Sequence, residues 1–311
     1  MIITVTLNPA IDKTAEVSTM VTNGLNRLNN VILDVGGKGI NVSKAIKELG
    51  GQSICTGFIA GDNGAWIEKK LDELGLEYKF KHVEGNTRMN LKVLDADMNL
   101  TELNEVGNEI NAEDLQALKS ELLKMTFAGD IVVLSGSVPR GVPKDIYKEL
   151  ITLLKEKGAK IILDADGDLF TEGLEAGPNL IKPNKYELCK YFGLSEDVSD
   201  LDLIENARKL LYKGIDTIVI SLGSKGAIFI THDEVAMVPG LKIIAHSAVG
   251  AGDSMVGALA YGMEQNYELI PLIKLSVATS AGAVMTEGTK APNYAVVEKL
   301  MKEVEINFKE R

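Results

Sequence analysis

Cysteine and histidine are scarce in this chain of 311 residues. The two cysteines, Cys55 and Cys189, lie far apart and form no Cys-x-x-Cys pair, which argues against a disulfide scaffold and against a zinc cluster. We therefore expect both thiols to be buried as small apolar side chains. The three histidines are equally scattered, so the sequence does not favour a metal-binding or catalytic role for any of them.

Long apolar runs and secretion signals are also missing. No stretch approaches the about 20 apolar residues that a membrane-spanning helix needs. Residues 1–7 are apolar, but they lack the positively charged start and the cleavage site of a signal peptide, so we interpret them as a first strand. The sequence thus predicts a cytoplasmic protein without a membrane partner.

Basic charge does not dominate either: the formal net charge is -11 and the pI is near 5.0. An acidic surface repels the phosphates of nucleic acids and of anionic lipids, so neither is an expected partner. If the ligand is itself an anion, its site must be built from a few local cations and backbone amides.

The order of elements indicates the fold class. Strand-like apolar runs alternate with amphipathic helical runs, which is typical of an α/β protein with a doubly wound, mostly parallel sheet flanked by helices. The predicted strands are residues 2–7, 53–59, 131–134, 160–163 and 217–221, followed by a hairpin at 227–231 and 234–238. The predicted helices are 39–49, 65–74, 112–125, 144–157, 203–212, 254–265, 270–285 and 295–304.

Two segments interrupt this alternation. Residues 13–35 and 86–104 are polar and strand-like, and they contain no long helix. We predict that they form a small β-sheet lid on a single domain spanning residues 1–311. Ordinary surface loops remain the alternative.

The first glycine loop, residues 34–42, links a strand to a helix. It fits neither common nucleotide motif, because Val42 stands where a dinucleotide loop needs its third glycine and Gly39 follows Gly37-Lys38 where a Walker A loop needs Ser or Thr. Backbone amides and Lys38 could still bind a polyhydroxylated anion. A plain tight turn is the other interpretation.

The second glycine loop, residues 247–254, runs directly into an apolar helix. Small residues at a helix start expose free N–H groups at the positive end of the helix dipole, where they can stabilise a phosphoryl group. Asp253 lies in the first turn as a candidate catalytic carboxylate, and a simple helix cap is the alternative.

A third cluster contains Asn184 and Glu187, three residues apart, which form either a capping box or a site for hydrated Mg²⁺.

Together these motifs resemble the ribokinase-like carbohydrate kinases of the PfkB type over essentially the whole chain. Residues 36–42 resemble the sugar-binding signature of that family, and residues 249–254 resemble its catalytic signature. Residues 182–187 are similar to its Mg²⁺ and phosphate motif, residues 221–226 to its nucleotide-binding turn, and residues 6–12 to the start of its phosphosugar branch.

The resemblance implies an ATP-dependent kinase with Mg²⁺ as cofactor and a small sugar phosphate as substrate. It implies that Asp253, ionised at its ordinary pKa without special tuning, accepts the proton of the attacking hydroxyl beside an anion hole formed by Gly250, Ala251 and Gly252. The implied substrate-binding residues are Asp12, Arg27, Gly37, Lys38, Asn41, Arg88 and Asn90, with Arg27, Lys38 and Arg88 as the cations for the sugar's phosphate. The implied cofactor-binding residues are Lys182, Asn184, Ser221, Gly223 and Gly226, and the metal would be held by Asn184 and Glu187 through water.

The exact substrate is chosen by resemblance. Residues 24–27 and 88–92 look like the 1-phosphofructokinase branch, which implies conversion of D-fructose 1-phosphate to D-fructose 1,6-bisphosphate. The alternatives are a tagatose-6-phosphate kinase, a 6-phosphofructokinase of the same family, a non-catalytic sugar-phosphate sensor on the same fold, and a nicotinamide oxidoreductase. Family members often pair through the lid, so a homodimer is the expected partner state. Arg140 departs from the branch pattern and is expected to alter the charge of the site.

Overall fold

The computed structural model describes residues 1–97, 99–247, 249–286 and 288–309. The strands are β1 (Ile2–Thr6), β2 (Ala10–Glu16), β3 (Asn29–Gly36), β4 (Ser53–Ile59), β5 (Glu77–His82), β6 (Met89–Leu94), β7 (Leu100–Asn104), β8 (Ile131–Ser135), β9 (Lys160–Asp164), β10 (Leu180–Ile181), β11 (Thr217–Ser221), β12 (Gly226–Thr231), β13 (Val235–Pro239) and β14 (Asn307–Phe308). The helices are α1 (Lys38–Glu48), α2 (Gly61–Leu74), α3 (Ala112–Met125), α4 (Ile146–Glu156), α5 (Gly167–Leu174), α6 (Lys185–Phe192), α7 (Asp200–Arg208), α8 (Ala251–Glu264), α9 (Leu269–Val284) and α10 (Tyr294–Met301).

A ten-stranded sheet forms the centre of the protein, in the order β14-β13-β12-β11-β10-β9-β8-β1-β4-β5. Strands from β5 to β11 in this order pair in parallel, whereas β11 to β14 pair antiparallel. The parallel strands are buried on both faces, which explains why β8 reads as a continuous apolar run and not as an alternating one.

Helices cover both faces of this sheet. On one face, α3 to α7 pack over β1, β8 and β9, and α4 presents the apolar stripe of Ile146, Leu150 and Leu154 to that core. On the other face, α1, α8, α9 and α10 enclose a second apolar cluster. The predicted α/β class with a doubly wound, mostly parallel sheet is confirmed.

The chain order of the sheet determines where a ligand can bind. β1 lies between β4 and β8, so the chain first winds outward to β5 and then returns to the other side of β1. A crevice opens outside the carboxyl ends of parallel strands at such a reversal, and this is the usual ligand site of open α/β sheets.

A separate four-stranded sheet, in the order β3-β2-β6-β7, lies beside this crevice. β2 follows β1 after a short turn, and β3 leads directly into α1, so both strands are anchored at the carboxyl edge of the large sheet. Asp12 on β2 is opposite Asn90 on β6, which is opposite Asn104 on β7. Residues opposite one another share a face of the sheet, so this row of polar side chains lies on one face.

Most elements match their sequence-based predictions within a few residues. β5 was missed because it is a charged edge strand in which only Phe80 is buried, and α5 was missed because its eight residues include Gly167 and Gly173. Cys55 and Cys189 are free and buried, as expected. No helix within the described ranges is long and apolar enough to cross a membrane.

Candidate active site

A cleft of about 370 Å³ occupies the crevice between the two sheets. The large sheet and its loops contribute Thr6, Asn8, Ser135, Gly136, Ser137 and Asp166, and the helix starts contribute Gly37, Lys38, Asn41, Val249, Gly250 and Asp253. The four-stranded sheet contributes Asp12, Arg88, Asn90, Lys92, Glu102 and Asn104. The cleft therefore has a polar lining that is well suited to a hydroxylated and charged small molecule.

Asp253 lies at the start of α8, where the local chain creates an anion site. Gly250 adopts a left-handed conformation with φ of 82°, which glycine allows without strain, and no side chain caps the helix. The first-turn amides of Ala251, Gly252 and Asp253 have no intrahelical acceptor and lie at the positive end of the helix dipole. This geometry supports the predicted anion hole.

The Asp253 carboxylate is almost completely buried and accepts a hydrogen bond of 2.8 Å from the Asn41 side-chain amide. Burial raises its pKa above the ordinary value, and Asp164 adds to this effect, while Lys38 and the Asn41 amide oppose it. The pKa of Asp253 thus lies above the ordinary value that was assumed for it. A raised pKa makes a carboxylate a stronger proton acceptor once it is ionised.

Two lysines converge on a buried carboxylate near Asp253. Lys38 Nζ lies 3.3 Å from one oxygen of Asp164, and Lys182 Nζ lies 3.4 Å from the other. Burial disfavours the charge of Lys38, but the charges of Asp164, Asp253 and Glu187 outweigh burial and raise its pKa. Lys182 Nζ would lie 3.4 Å from a Cβ added at Gly252, so this cation is beside the anion hole.

Asp164 was not identified from the sequence. It is the last residue of the buried strand β9, and that position at the carboxyl end of a parallel strand was the available signal. Lys38 was expected to bind the sugar's phosphate. Its ammonium pairs with Asp164 and is influenced by the charge of Asp253, and its role toward a phosphate stays a prediction.

On the opposite side of the cleft, the four-stranded sheet carries a second charged group. The Asp12 carboxylate accepts 2.9 Å hydrogen bonds from Asn90 and from Lys92, and all three side chains are almost completely buried. The Arg88 guanidinium donates to the Asn8 and Glu105 carbonyls and to the Asn90 side chain. Lys92 was part of a quoted motif but was not proposed as a site residue, and its contact with Asp12 becomes visible only when β2 and β6 pair.

The guanidinium of Arg88 forms no ion pair with a carboxylate in the described part of the chain. Burial lowers its pKa, and the more distant charges of Asp12 and Glu105 oppose this effect without cancelling it. An anion bound against Arg88 would relieve this electrostatic cost.

Two predicted cations lie outside the cleft. Arg27 is an exposed residue of the loop between β2 and β3, and it does not line the cleft of its own chain. Arg140 is also exposed, and its backbone forms a bridge with Glu109. Neither arginine lines the cleft within one chain, so their expected effects on the site stay predictions.

The segment with Asn184 and Glu187 adopts a complete capping box at the start of α6. The Glu187 backbone N–H donates to the Asn184 side chain, and the Asn184 backbone N–H donates to the Glu187 carboxylate, each at 2.8 Å. The capping interpretation is thus correct, but it uses only one carboxylate oxygen of Glu187. The backbone also pairs Asn184 with Ser221, which brings this segment to the turn that follows β11.

That turn contains the other predicted nucleotide-binding residues. Gly223 and Gly226 have positive φ of 61° and 107°, and a Cβ at Gly226 would lie 1.9 Å from the Val238 carbonyl oxygen. The turn therefore needs glycine at position 226 for its own folding. Ser221, Gly223 and Gly226 do not line the 370 Å³ cleft, and their role toward a nucleotide stays a prediction.

Comparison with known proteins agrees with this arrangement. The model of the pfkB family carbohydrate kinases matches residues 5–295. The chain belongs to this family. The matched range of this pfkB family kinase includes both glycine loops, the capping-box segment and the four-stranded sheet.

Individual relatives of this pfkB family kinase support the same assignment. The chain is 33% identical to the 1-phosphofructokinase of Haemophilus influenzae, covering 99% of this chain and 98% of the relative. It is 34% identical to the 1-phosphofructokinase of Bacillus subtilis, covering 98% and 99%. A solved structure of phosphofructokinase-2 from Escherichia coli, in complex with fructose-6-phosphate, superposes with a TM-score of 0.91 at 26% identity and covers 97% and 98%.

Family membership makes the protein an ATP-dependent carbohydrate kinase. The nicotinamide oxidoreductase alternative is therefore wrong, as the incomplete dinucleotide motif had already indicated.

Proposed function

We propose that this kinase phosphorylates D-fructose 1-phosphate on its C6 hydroxyl and releases D-fructose 1,6-bisphosphate and ADP. One observation carries the proposal: the cleft is lined on one side by Arg88, which is partly buried and forms no ion pair among the described residues, and on the helix side by Asp253. A neutral sugar has no group to match this cation, but a sugar phosphate does. The names of the curated relatives agree with the choice of substrate.

Each group of cleft residues has a separate role in the proposed reaction. Asp253 accepts the proton of the C6 hydroxyl, and the C6 oxygen forms a bond to the γ-phosphorus of ATP. The bond from that phosphorus to the bridging oxygen breaks, and ADP leaves. The amides at the start of α8, with Lys38 and Lys182, hold the negative charge of the phosphoryl group in transit. Asp12, Asn41 and Gly37 hold the sugar hydroxyls and so fix the reacting hydroxyl near the base.

Mg²⁺ is part of the proposal, and the donor set is compatible with it. Within the described ranges, no group of three or more carboxylate, histidine or cysteine side chains could hold a metal ion. Mg²⁺ keeps several waters and binds mainly to nucleotide phosphates, so it needs few protein oxygens. Asn184 and the second oxygen of Glu187 are the groups that would hold its water shell, and the ion would neutralise phosphate charge.

Changing Glu187 to glutamine is expected to raise the Mg²⁺ concentration needed for half-maximal rate by about tenfold, because outer-sphere carboxylates typically change metal affinity by about 10–100-fold. Glutamine still accepts the Asn184 N–H, so the capping box is preserved. The measurement is a Mg²⁺ titration of the rate at saturating sugar. Asp202→Asn is the matched control, because Ser199 and Asp202 form a similar cap on α7. An unchanged titration in Glu187→Gln would leave Glu187 with a capping role alone.

A 6-phosphate substrate is the second candidate, because the solved relative described above binds fructose-6-phosphate. In a ketofuranose, C1 and C6 flank the ring oxygen, so turning the ring over exchanges the two ends within one cleft. Tagatose 6-phosphate fits the same argument. The functional test is ADP release: fructose 1-phosphate must raise it well above the rate with ATP alone, and a sensor would show no such increase.

We also propose that the four-stranded sheet acts as a lid and joins two copies of the chain as a homodimer in the cytoplasm. Its outer strands expose apolar side chains: Val31, Ile32 and Leu33 on β3 are 44–57% exposed, and Leu103 on β7 is 54% exposed. A second copy of the same sheet would cover them. Arg27 lies in the loop that leads into β3. In such a dimer, Arg27 would reach its predicted phosphate contact in the cleft of the partner chain. Light scattering of the purified chain measures the assembly directly.

A further inference from the structure

Lys44 is a nearly buried lysine on α1, one turn after Asn41, and it lies outside all the motifs considered above. It is 8% exposed. Its ammonium donates to the Val35 carbonyl at 2.6 Å, to Asp34 at 3.2 Å and to the Asn41 side-chain oxygen at 3.3 Å. The ammonium therefore lies between the end of β3 and the residue that contacts the base.

The contact with Asn41 determines which way its amide points. An ammonium has only donors, so it can face only the oxygen of the Asn41 amide. The NH₂ group is then on the other side, where it donates to Asp253 at 2.8 Å. If the amide turned over, its oxygen would face the carboxylate of Asp253, and two acceptors would repel each other.

Other residues hold Lys44 in this position. Asp34 accepts a 2.7 Å hydrogen bond from the Thr289 hydroxyl, which also lies 3.5 Å from the Lys44 ammonium. The Thr289 backbone packs against Gly250, the residue that precedes α8, because a Cβ added there would lie 3.5 Å from Thr289 Cα. The network thus connects β3, α1 and the loop that carries the anion hole.

Stability alone does not account for this arrangement. Burying the Lys44 ammonium costs desolvation, and its partner Asp34 is 35% exposed, so an apolar side chain of similar volume is often as stabilising at such a position. Burial disfavours the charged form of Asp34, but Lys44 and the Thr289 hydroxyl outweigh it and lower the pKa of Asp34.

We propose that Lys44 is a positioning residue for phosphoryl transfer: it locks the Asn41 amide so that the amide holds the Asp253 carboxylate toward the acceptor hydroxyl. Asp34 and Thr289 hold Lys44 in turn, so the end of the lid strand β3 is connected to the base. The inference rests on the proposed role of Asp253 as the base. Among the described residues, Lys38, Lys182 and Asp164 also act electrostatically on Asp253, and Lys44 acts on the Cys55 thiol.

The test is Lys44→Met, which keeps an unbranched side chain only one atom shorter and removes the ammonium and its charge. We expect kcat near neutral pH to fall about tenfold, the scale of losing one charge-assisted hydrogen bond. KM for ATP, which does not contact Asn41 in the proposed mechanism, should stay within about twofold. Loss of the donor to ionised Asp253 raises the pKa of that carboxyl, so the acid limb of the pH–rate profile should move to higher pH and the rate should recover at alkaline pH.

A double-mutant cycle separates positioning from a merely structural role. If Lys44 acts through Asn41, Lys44→Met should cause no further loss in an Asn41→Ala background. A full tenfold additional loss there, or an acid limb that stays in place in the single variant, would overturn the proposal. If Lys44→Met does not fold, Thr289→Val should move the acid limb in the same direction by less, and an unmoved limb in this variant would also overturn it.

The proposal about Lys44 and the proposal about the base fail in different ways. A near-normal kcat in Asp253→Asn would remove the base itself. A large loss in Asp253→Asn together with an unshifted profile in Lys44→Met and no coupling to Asn41 would contradict only the positioning role.

Discussion

Replacing Asp253 with asparagine is expected to lower kcat by about 10²–10⁴-fold, the range for removal of a general base. Asparagine has the same shape, and its side-chain oxygen can still accept the hydrogen bond from Asn41. The sugar dissociation constant should therefore change little. The measurements are steady-state kcat with ATP·Mg²⁺ and calorimetric binding of the sugar.

Protein stability provides an internal control for Asp253→Asn. Folding raises the pKa of this carboxyl, so its ionised form disfavours the folded state above that pKa, and the cost disappears as pH falls through the folded pKa. We expect the variant to be at least as stable as the parent at neutral pH, with a difference that shrinks in acid. A strong loss of thermal stability at neutral pH would show that the lower rate comes from unfolding, and a near-normal kcat would contradict the assignment of the base.

Charge reversal at Arg88 is expected to have the second-largest effect. Arg88→Glu should lower kcat/KM for the preferred sugar phosphate by at least about a hundredfold, because a charge-assisted contact worth about 1.5–3 kcal/mol is replaced by repulsion. KM for ATP should change little, since the anion hole and Lys182 lie on the other side of the cleft. Steady-state kinetics with each substrate varied in turn measures both effects.

Two further variants serve as controls for Arg88→Glu. Arg140→Glu makes the same charge change at an exposed arginine outside the cleft, and it should leave kcat/KM nearly unchanged. Arg88→Gln retains a donor for the Asn8 carbonyl and should give an intermediate loss. If Arg88→Glu and Arg140→Glu behave alike, the phosphate binds elsewhere and the orientation of the sugar in the cleft must be revised.

Short-range patterns in the sequence were sufficient for the fold and for the start of α8. Buried strands, amphipathic helices and the glycine loop before Asp253 are each contained in a few consecutive residues, so they are visible without tertiary structure. The same locality explains the capping box, which is made entirely by Asn184 and Glu187.

The electrostatics of the site depends on contacts that no local pattern contains. Asn41 and Asp253 are 212 residues apart in sequence, and Asp34 and Thr289 are 255 residues apart. Asp164 acquires its two lysines only when β9 lies next to β10 and α1 begins at the carboxyl edge of the sheet. The raised pKa of Asp253 and the position of Lys38 therefore could not be read from the motifs.

The most direct test of the proposed function is kcat/KM for D-fructose 1-phosphate, D-tagatose 6-phosphate and D-fructose 6-phosphate, measured side by side with ATP·Mg²⁺. We expect fructose 1-phosphate to exceed both others by at least about tenfold, a transition-state preference of about 1.4 kcal/mol. The product should be D-fructose 1,6-bisphosphate. A tenfold preference for either 6-phosphate would contradict the proposed substrate, and no ADP release with any of the three would contradict a sugar-phosphate kinase.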